Sequence, residues 1–133
     1  MTTTASLEAS FASVDEAMDM VRAGLGYLAQ ADCASLPTVV QGRLLRELER
    51  AESQHTAARA RVLSAFTAQG GYSDDGHGGP RPWLAWQTRV TVLAASGAIG
   101  WMRRLEVYPR LAGALAAGTI STSYARKIWE WLQ

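Results

Sequence analysis

Three side chains of the kinds that bind divalent metals lie close together in the middle of the sequence. Asp74, Asp75 and His77 belong to GGYSDDGHGGPR, the segment 70–81. A metal site needs a fixed number of ligands in a fixed geometry, whereas five glycines and a proline predict a flexible loop that does not hold one. A metal-dependent nuclease built on these residues is therefore the weakest functional hypothesis. We predict no catalytic residue, metal or cofactor for this chain.

His55, the other histidine, falls on an otherwise apolar helical stripe. A lone histidine in such a place is usually partly buried and hydrogen-bonded to a neighbour, because catalysis and metal binding both require partner residues. The spacing identifies no such partner. The sequence therefore assigns a role to neither His55 nor His77.

The composition restricts the cellular setting. Cys33 is the only cysteine, so an internal disulfide is excluded and a reducing compartment is favoured over secretion. No apolar run approaches the roughly 18 residues of a membrane span, and the N-terminus lacks the basic and apolar regions of a signal peptide. We predict a cytoplasmic protein with neither a membrane nor a small-molecule partner.

Charge is distributed unevenly along the chain. Residues 1–36 hold five acids against Arg22 alone, a net charge of −4, whereas residues 81–133 hold seven arginines and lysines against two glutamates, a net charge of +5. A basic C-terminal part of this kind suits an anionic partner such as duplex DNA. An arginine-rich surface without a partner is the alternative, since such surfaces are common on alanine-rich helices.

Small polar and basic residues near the C-terminus follow an order typical of DNA-binding helices. Residues 111–117 predict a short helix that ends at Gly118, and Ser121 predicts the cap of a second helix. This order is similar to the helix-turn-helix of ParB-like partition proteins, in which the second helix enters the major groove. An ordinary helical hairpin is the alternative that the sequence alone favours. On the first interpretation, the DNA-binding residues are Arg103, Arg104, Thr122, Ser123, Arg126 and Lys127.

Hydrophobic spacing predicts an all-α protein organised around one long helix. In the stretch 35–69, with Ser35 as its cap, apolar residues recur at alternating steps of four and three, which keeps them on one narrow stripe of a helix. A similar stripe follows a capping box at Ser13, so we predict an antiparallel hairpin over 13–69. The stripes consist of Leu44, Leu48, Ala51, His55, Ala58, Val62 and Ala65 in the long helix and of Val14, Met18, Val21, Leu25 and Leu28 in the first.

The remaining segments are shorter. Residues 1–12 predict a disordered tail, and residues 70–81 predict the glycine-rich loop. Residues 82–133 predict a cluster of short helices, in which Thr91 caps one helix and Pro109 ends it. Together these assignments describe a long hairpin followed by a compact helical cluster that is helix-turn-helix-like at its C-terminus.

The last helix carries more apolar surface than its neighbours are expected to cover. Ile128, Trp129, Trp131 and Leu132 lie within its final turns. Leaving such side chains exposed forgoes about 1.5 to 3 kcal/mol for each. We predict that the chain is truncated at its C-terminus and that it self-associates through this helix.

Three strings resemble the 13E12-repeat family of actinobacteria, domain of unknown function 222 (DUF222). They are AQGGYSDDGHGGPRPWLAWQTRVT, ASGAIGWMRRL and LAGALAAGTISTSYARKI, and the resemblance extends in order from about Val14. In that family the helical region commonly precedes an HNH endonuclease module, whose chemistry uses histidines and an asparagine around a divalent metal. This chain has no asparagine and only two histidines, so the nuclease activity does not carry over.

Two functions remain open at this point. The resemblance and the basic C-terminal part predict a non-catalytic, DUF222-like helical module that binds DNA. The alternative is a protein–protein interaction or oligomerisation module with no nucleic-acid role.

Overall fold

The fold is all-α, as the sequence predicts. The computed structural model describes the backbone of residues 3–133, with side chains from residue 13 onward. This part of the chain contains six α-helices and two short 3₁₀ helices and no strand. In order, they are α1 (Thr3–Gln30), a 3₁₀ helix (Cys33–Ser35), α2 (Thr38–Ala68), a second 3₁₀ helix (Gly71–Asp75), α3 (Pro80–Gln87), α4 (Val92–Val107), α5 (Pro109–Ala117) and α6 (Thr122–Trp131).

Two helix starts differ from the prediction. The backbone of 3–12 is helical and Ser13 lies inside α1, whereas the sequence predicts a tail over 1–12 and a helix that starts at Ser13. Residues 1 and 2 lie outside the described residues. Alanines at 5, 9 and 12 explain the longer helix, because alanine has the highest helix propensity. Ser35 belongs to the first 3₁₀ helix and donates to the Asp32 carbonyl, and it does not cap α2.

The chain divides into two compact units, and the boundary between them in the sequence falls within α2. Unit 1 extends to Gln41, and unit 2 comprises Gly42–Gln133. The division does not fall at the glycine-rich segment, because the second half of α2 shares a core with the short helices. The predicted hairpin over 13–69 includes residues of both units, and the packing of its two helices on each other stays a prediction.

The core of unit 2 is centred on α4. It contains six buried residues of α4, together with two from α2, one from α3, two from α5 and one from α6. Helix α4 presents little except apolar side chains to its neighbours, so it occupies the middle of the unit. The core residues are Ala60, Leu63, Leu84, Ala95, Ala98, Ile99, Trp101, Met102, Leu105, Leu111, Leu115 and Ala125.

The face that α2 buries in this core differs from the predicted stripe. Ser53, Thr56, Ala60 and Leu63 are buried, whereas His55, Ala58, Val62 and Ala65 are exposed. Three of the four buried residues are small, and two of the four are polar. Ser53 satisfies its hydroxyl by donating to the Glu49 carbonyl. The position of α3–α6 therefore decides the buried face, and simple heptad spacing does not.

The glycine-rich segment is more ordered than predicted. Its 3₁₀ helix is closed at both ends by glycines with positive φ, Gly70 at 69° and Gly76 at 80°. Gly71 leaves room for the ring of Phe66, which packs at 4.5 Å on that of Trp83. The Trp83 indole N–H in turn donates to Asp75 Oδ2 at 2.8 Å. These contacts hold residues 70–81 against α2 and α3, which corrects the expectation of a flexible loop.

The predicted capping residues of the later helices are confirmed. Thr91 caps α4 by accepting from the Ala94 amide, and Ser121 caps α6 by accepting from the Tyr124 amide. Helix α5 begins at Pro109 and ends at Gly118, whose φ is 71°. None of the helices in the described part of the chain combines the length and hydropathy needed to cross a membrane.

Candidate nucleic-acid interface

Helices α5 and α6 form a helix-turn-helix arrangement with a tight turn at residues 118–121. The Gly118 amide donates to the Leu115 carbonyl and the Thr119 amide donates to the Ala114 carbonyl, which is the hydrogen-bond pattern of a Schellman motif. Ile120 then packs on the core and Ser121 starts α6. The turn is thus fixed by its own backbone and anchored by one apolar side chain.

The outer face of α6 carries three of the predicted DNA-binding residues. Ser123, Arg126 and Lys127 are exposed, and they lie on one side of the helix because their spacing is three or four residues. Within residues 13–133, neither Arg126 nor Lys127 has a carboxylate within 4.0 Å. Both cations are therefore free to meet phosphate oxygens, and the Ser123 hydroxyl is free to meet a base edge or a sugar.

Thr122, one helical turn before Arg126, lies at the edge of the outer face of α6 and is half-buried. Its hydroxyl donates to Glu52 Oε1 on α2 at 3.2 Å. The side chain therefore joins α6 to α2, and a DNA contact by Thr122 stays a prediction.

Arg104 also has a contact within the protein, and its role at DNA stays a prediction. Its side chain is half-buried, and its guanidinium carbon lies 4.0 Å from the ring centroid of Trp129 and 5.5 Å from that of Trp101. These are cation–π distances. Arg104 thus connects α4 to α6. The neighbouring Arg103 is exposed and remains a candidate for phosphate contact.

Arg126 has a contact of its own with the core. Its guanidinium carbon lies 5.8 Å from the Trp101 ring centroid, near the outer limit for a cation–π interaction. Because the side chain is otherwise exposed, this weak contact orients Arg126 without occupying its N–H groups.

The candidate metal ligands are not brought together. Asp75 accepts the Trp83 indole N–H, and His77 Nε2 lies 3.3 Å from Gln87 Nε2. No group of three or more His, Cys, Asp or Glu side chains in the described residues is placed to hold a metal ion. His55 is exposed on α2 and not partly buried as expected.

Two concave features of unit 2 were not predicted. A groove of about 850 Å³ runs between α2 and the helices α4 and α5, and seven of its 15 lining residues are alanines. A 2.6 Å hydrogen bond from Ser64 to Glu106 lies beside it. A smaller cleft of about 130 Å³ lies between α2 and the α5–α6 turn. The alanine run of α2 is the only sequence signal for the groove, and the cleft has none.

We compared the chain with known protein families, curated proteins and solved structures. No protein-family model, no curated protein and no solved structure matches the chain.

Proposed function

We propose that this chain is a non-catalytic helical module that binds duplex DNA, with α6 as the helix that enters the major groove. The observation that carries the proposal is the exposed outer face of α6, where Ser123, Arg126 and Lys127 lie together at the second helix of a helix-turn-helix arrangement. Hydroxyl and basic side chains at this place are those that such motifs use on bases and phosphates.

The charge of unit 2 supports the same proposal. Residues 42–133 hold 12 arginines and lysines and 7 acids, a net charge of +5, whereas residues 1–41 carry a net charge of −4. A positive field of this sign attracts polyphosphate and increases the rate of association. The DNA-binding helix therefore belongs to the basic unit.

The proposal includes membership of the DUF222 region of 13E12-repeat proteins and a cytoplasmic location. The family assignment rests on the three strings described above, and the location rests on the single cysteine, Cys33. Both are consistent with a module that acts on DNA and performs no chemistry itself.

A salt titration of binding to a labelled duplex tests the proposal. Binding should weaken steeply with salt, with a slope in log K of about −0.9 for each phosphate contacted. Arg126→Ala combined with Lys127→Ala should reduce that slope by about 2, since two contacts are lost. Arg81→Ala, which removes an exposed arginine at the start of α3, is the control and should leave the salt slope unchanged. Absence of binding by the parent at about 50 mM salt would refute the proposal.

Self-association is the second candidate function, and a separate observation favours it. Trp131 and Leu132, at the end of α6, are 75% and 55% exposed. Exposed apolar side chains that are adjacent are typical of protein contact sites. Light scattering should then give a mass that rises with concentration, and Trp131→Gln should abolish the rise. Trp86→Gln, an equally exposed tryptophan on α3, is the control. A parent that stays monomeric at high concentration excludes this function.

A further inference from the structure

The smaller cleft lies between α2 and the turn that leads into α6. It is lined on one side by Arg46, Glu49, Arg50 and Ser53 of α2, and on the other by residues 118–121, the turn that leads into α6. Arg46 and Arg50 are one helical turn apart, so their side chains emerge on the same face of α2. Arg50 lies against Gly118 of the turn, whereas the Arg46 guanidinium extends back along α2, with Nη1 3.7 Å from the place a Cβ on Gly42 would take.

Arg50 is held in place by the turn itself. A Cβ atom added at Gly118 would collide with Cγ and Cδ of Arg50, which shows that the aliphatic part of this side chain packs directly on the glycine backbone. Long basic side chains commonly bury their stems in this way and keep the charged end in water. Gly118 therefore has two functions, since it closes α5 and it also accommodates Arg50.

The charges around the cleft leave the two arginines available. Glu52, on the same helix, accepts a hydrogen bond from Thr122. Glu49 lines the cleft, yet within residues 13–133 no carboxylate oxygen lies within 4.0 Å of either arginine. The planar guanidinium group presents parallel N–H donors that match two oxygens of one phosphate.

We infer that α2 is part of the DNA-binding surface, and that Arg46 and Arg50 bind backbone phosphates beside the groove that α6 enters. The inference rests on the proposed DNA binding and extends it, because it assigns phosphate contacts to a helix outside the helix-turn-helix. These contacts position the protein and carry no sequence information. The surface therefore consists of the cleft arginines together with the outer face of α6.

Binding of the full chain to labelled duplexes of about 20 base pairs, titrated with salt, tests this inference. Arg46→Gln with Arg50→Gln should reduce the magnitude of the salt slope by about 2, and should weaken binding roughly tenfold for each arginine near 100 mM salt. The loss should be equal for duplexes of unrelated sequence. Arg46→Lys with Arg50→Lys should restore most of the slope, because the charge is kept.

Controls separate this inference from the proposal on which it rests. Arg59→Gln changes an exposed arginine of α2 that does not line the cleft, and should leave the slope unchanged. Arg46→Gln alone leaves the packing of Arg50 on Gly118 intact and should reduce the slope by about 1, so the test does not depend on a variant that disturbs the turn. A parent that binds through Arg126 and Lys127, with the Arg46 variants unchanged in slope, overturns this inference alone. A parent that does not bind overturns both.

Discussion

Gly118 is the residue on which the turn between α5 and α6 depends. Its φ of 71° lies in the left-handed region, which an L side chain enters at a cost of about 1 to 2 kcal/mol. A side chain there would also displace Arg50. We expect Gly118→Ala to lower the free energy of unfolding by about 2 kcal/mol or more, measured from the denaturant midpoint.

Gly113→Ala provides a matched comparison within the same helix. Gly113 lies inside α5, and a Cβ atom added there has nothing within 4 Å. Since alanine is the better helix former, this variant should be stabilised by about 0.5 to 1 kcal/mol. Equal midpoints for the two variants would contradict the role assigned to Gly118.

Adjacent arginines on α4 are expected to behave differently when removed. Arg104→Ala loses the cation–π contacts with Trp129 and Trp101, which are together worth about 1 to 2 kcal/mol, and should lower the free energy of unfolding by that amount. Arg103→Ala removes an exposed side chain and should change stability by less than about 0.5 kcal/mol. Chemical denaturation followed by tryptophan fluorescence measures both, and a larger loss for Arg103→Ala would rule out the role given to Arg104.

At the scale of one element, α6 depends on its cap. The Ser121 hydroxyl accepts the Tyr124 amide at 3.2 Å, so Ser121→Ala leaves that N–H without its partner and should cost about 1 kcal/mol. The Ser123 hydroxyl has no hydrogen-bond partner among the described side chains and backbone groups, so Ser123→Ala should leave the melting temperature unchanged. If Ser123→Ala proves as destabilising as Ser121→Ala, α6 begins elsewhere.

Helix α2 illustrates how an element can be predicted correctly and its orientation missed. The predicted stripe and the observed buried face lie on the same helix, yet His55 and Val62 are exposed while Ser53 and Thr56 are buried. Hydrophobicity identifies a buried face only when the buried residues are apolar. Here two of the four buried residues of α2 are polar, so hydrophobicity does not identify the face.

At the scale of the whole molecule, the two units should differ in local stability. Every buried residue in the described part of the chain lies in unit 2, whereas the side chains of 13–30 are exposed except for that of Leu28, which is half-buried. A helix with little packed surface is only marginally stable. Amide hydrogen exchange should therefore be slowest in α4 and much faster in α1. Exchange in α1 as slow as in α4 would contradict this and would favour the antiparallel hairpin.

The sequence by itself determined the fold class and most helix ends of unit 2. Four residues mark these helix ends through hydrogen bonds and backbone angles that involve only their near neighbours in sequence, so they can be recognised without the tertiary structure. They are Thr91, Pro109, Gly118 and Ser121. The exposed residues of the DNA-binding candidate, Ser123, Arg126 and Lys127, were identifiable for the same reason, since their position on α6 follows from helical spacing.

Only the tertiary structure decided how the helices use their surfaces. Arg103 and Arg104 are identical in type and adjacent in sequence, and what distinguishes them is that Trp129, far along the chain, lies over one guanidinium group and not the other. Thr122 likewise has its hydrogen-bond partner on α2, in Glu52, 70 residues away. Such contacts join residues with no local relation, because folding brings their helices together, and no pattern within a single helix contains them.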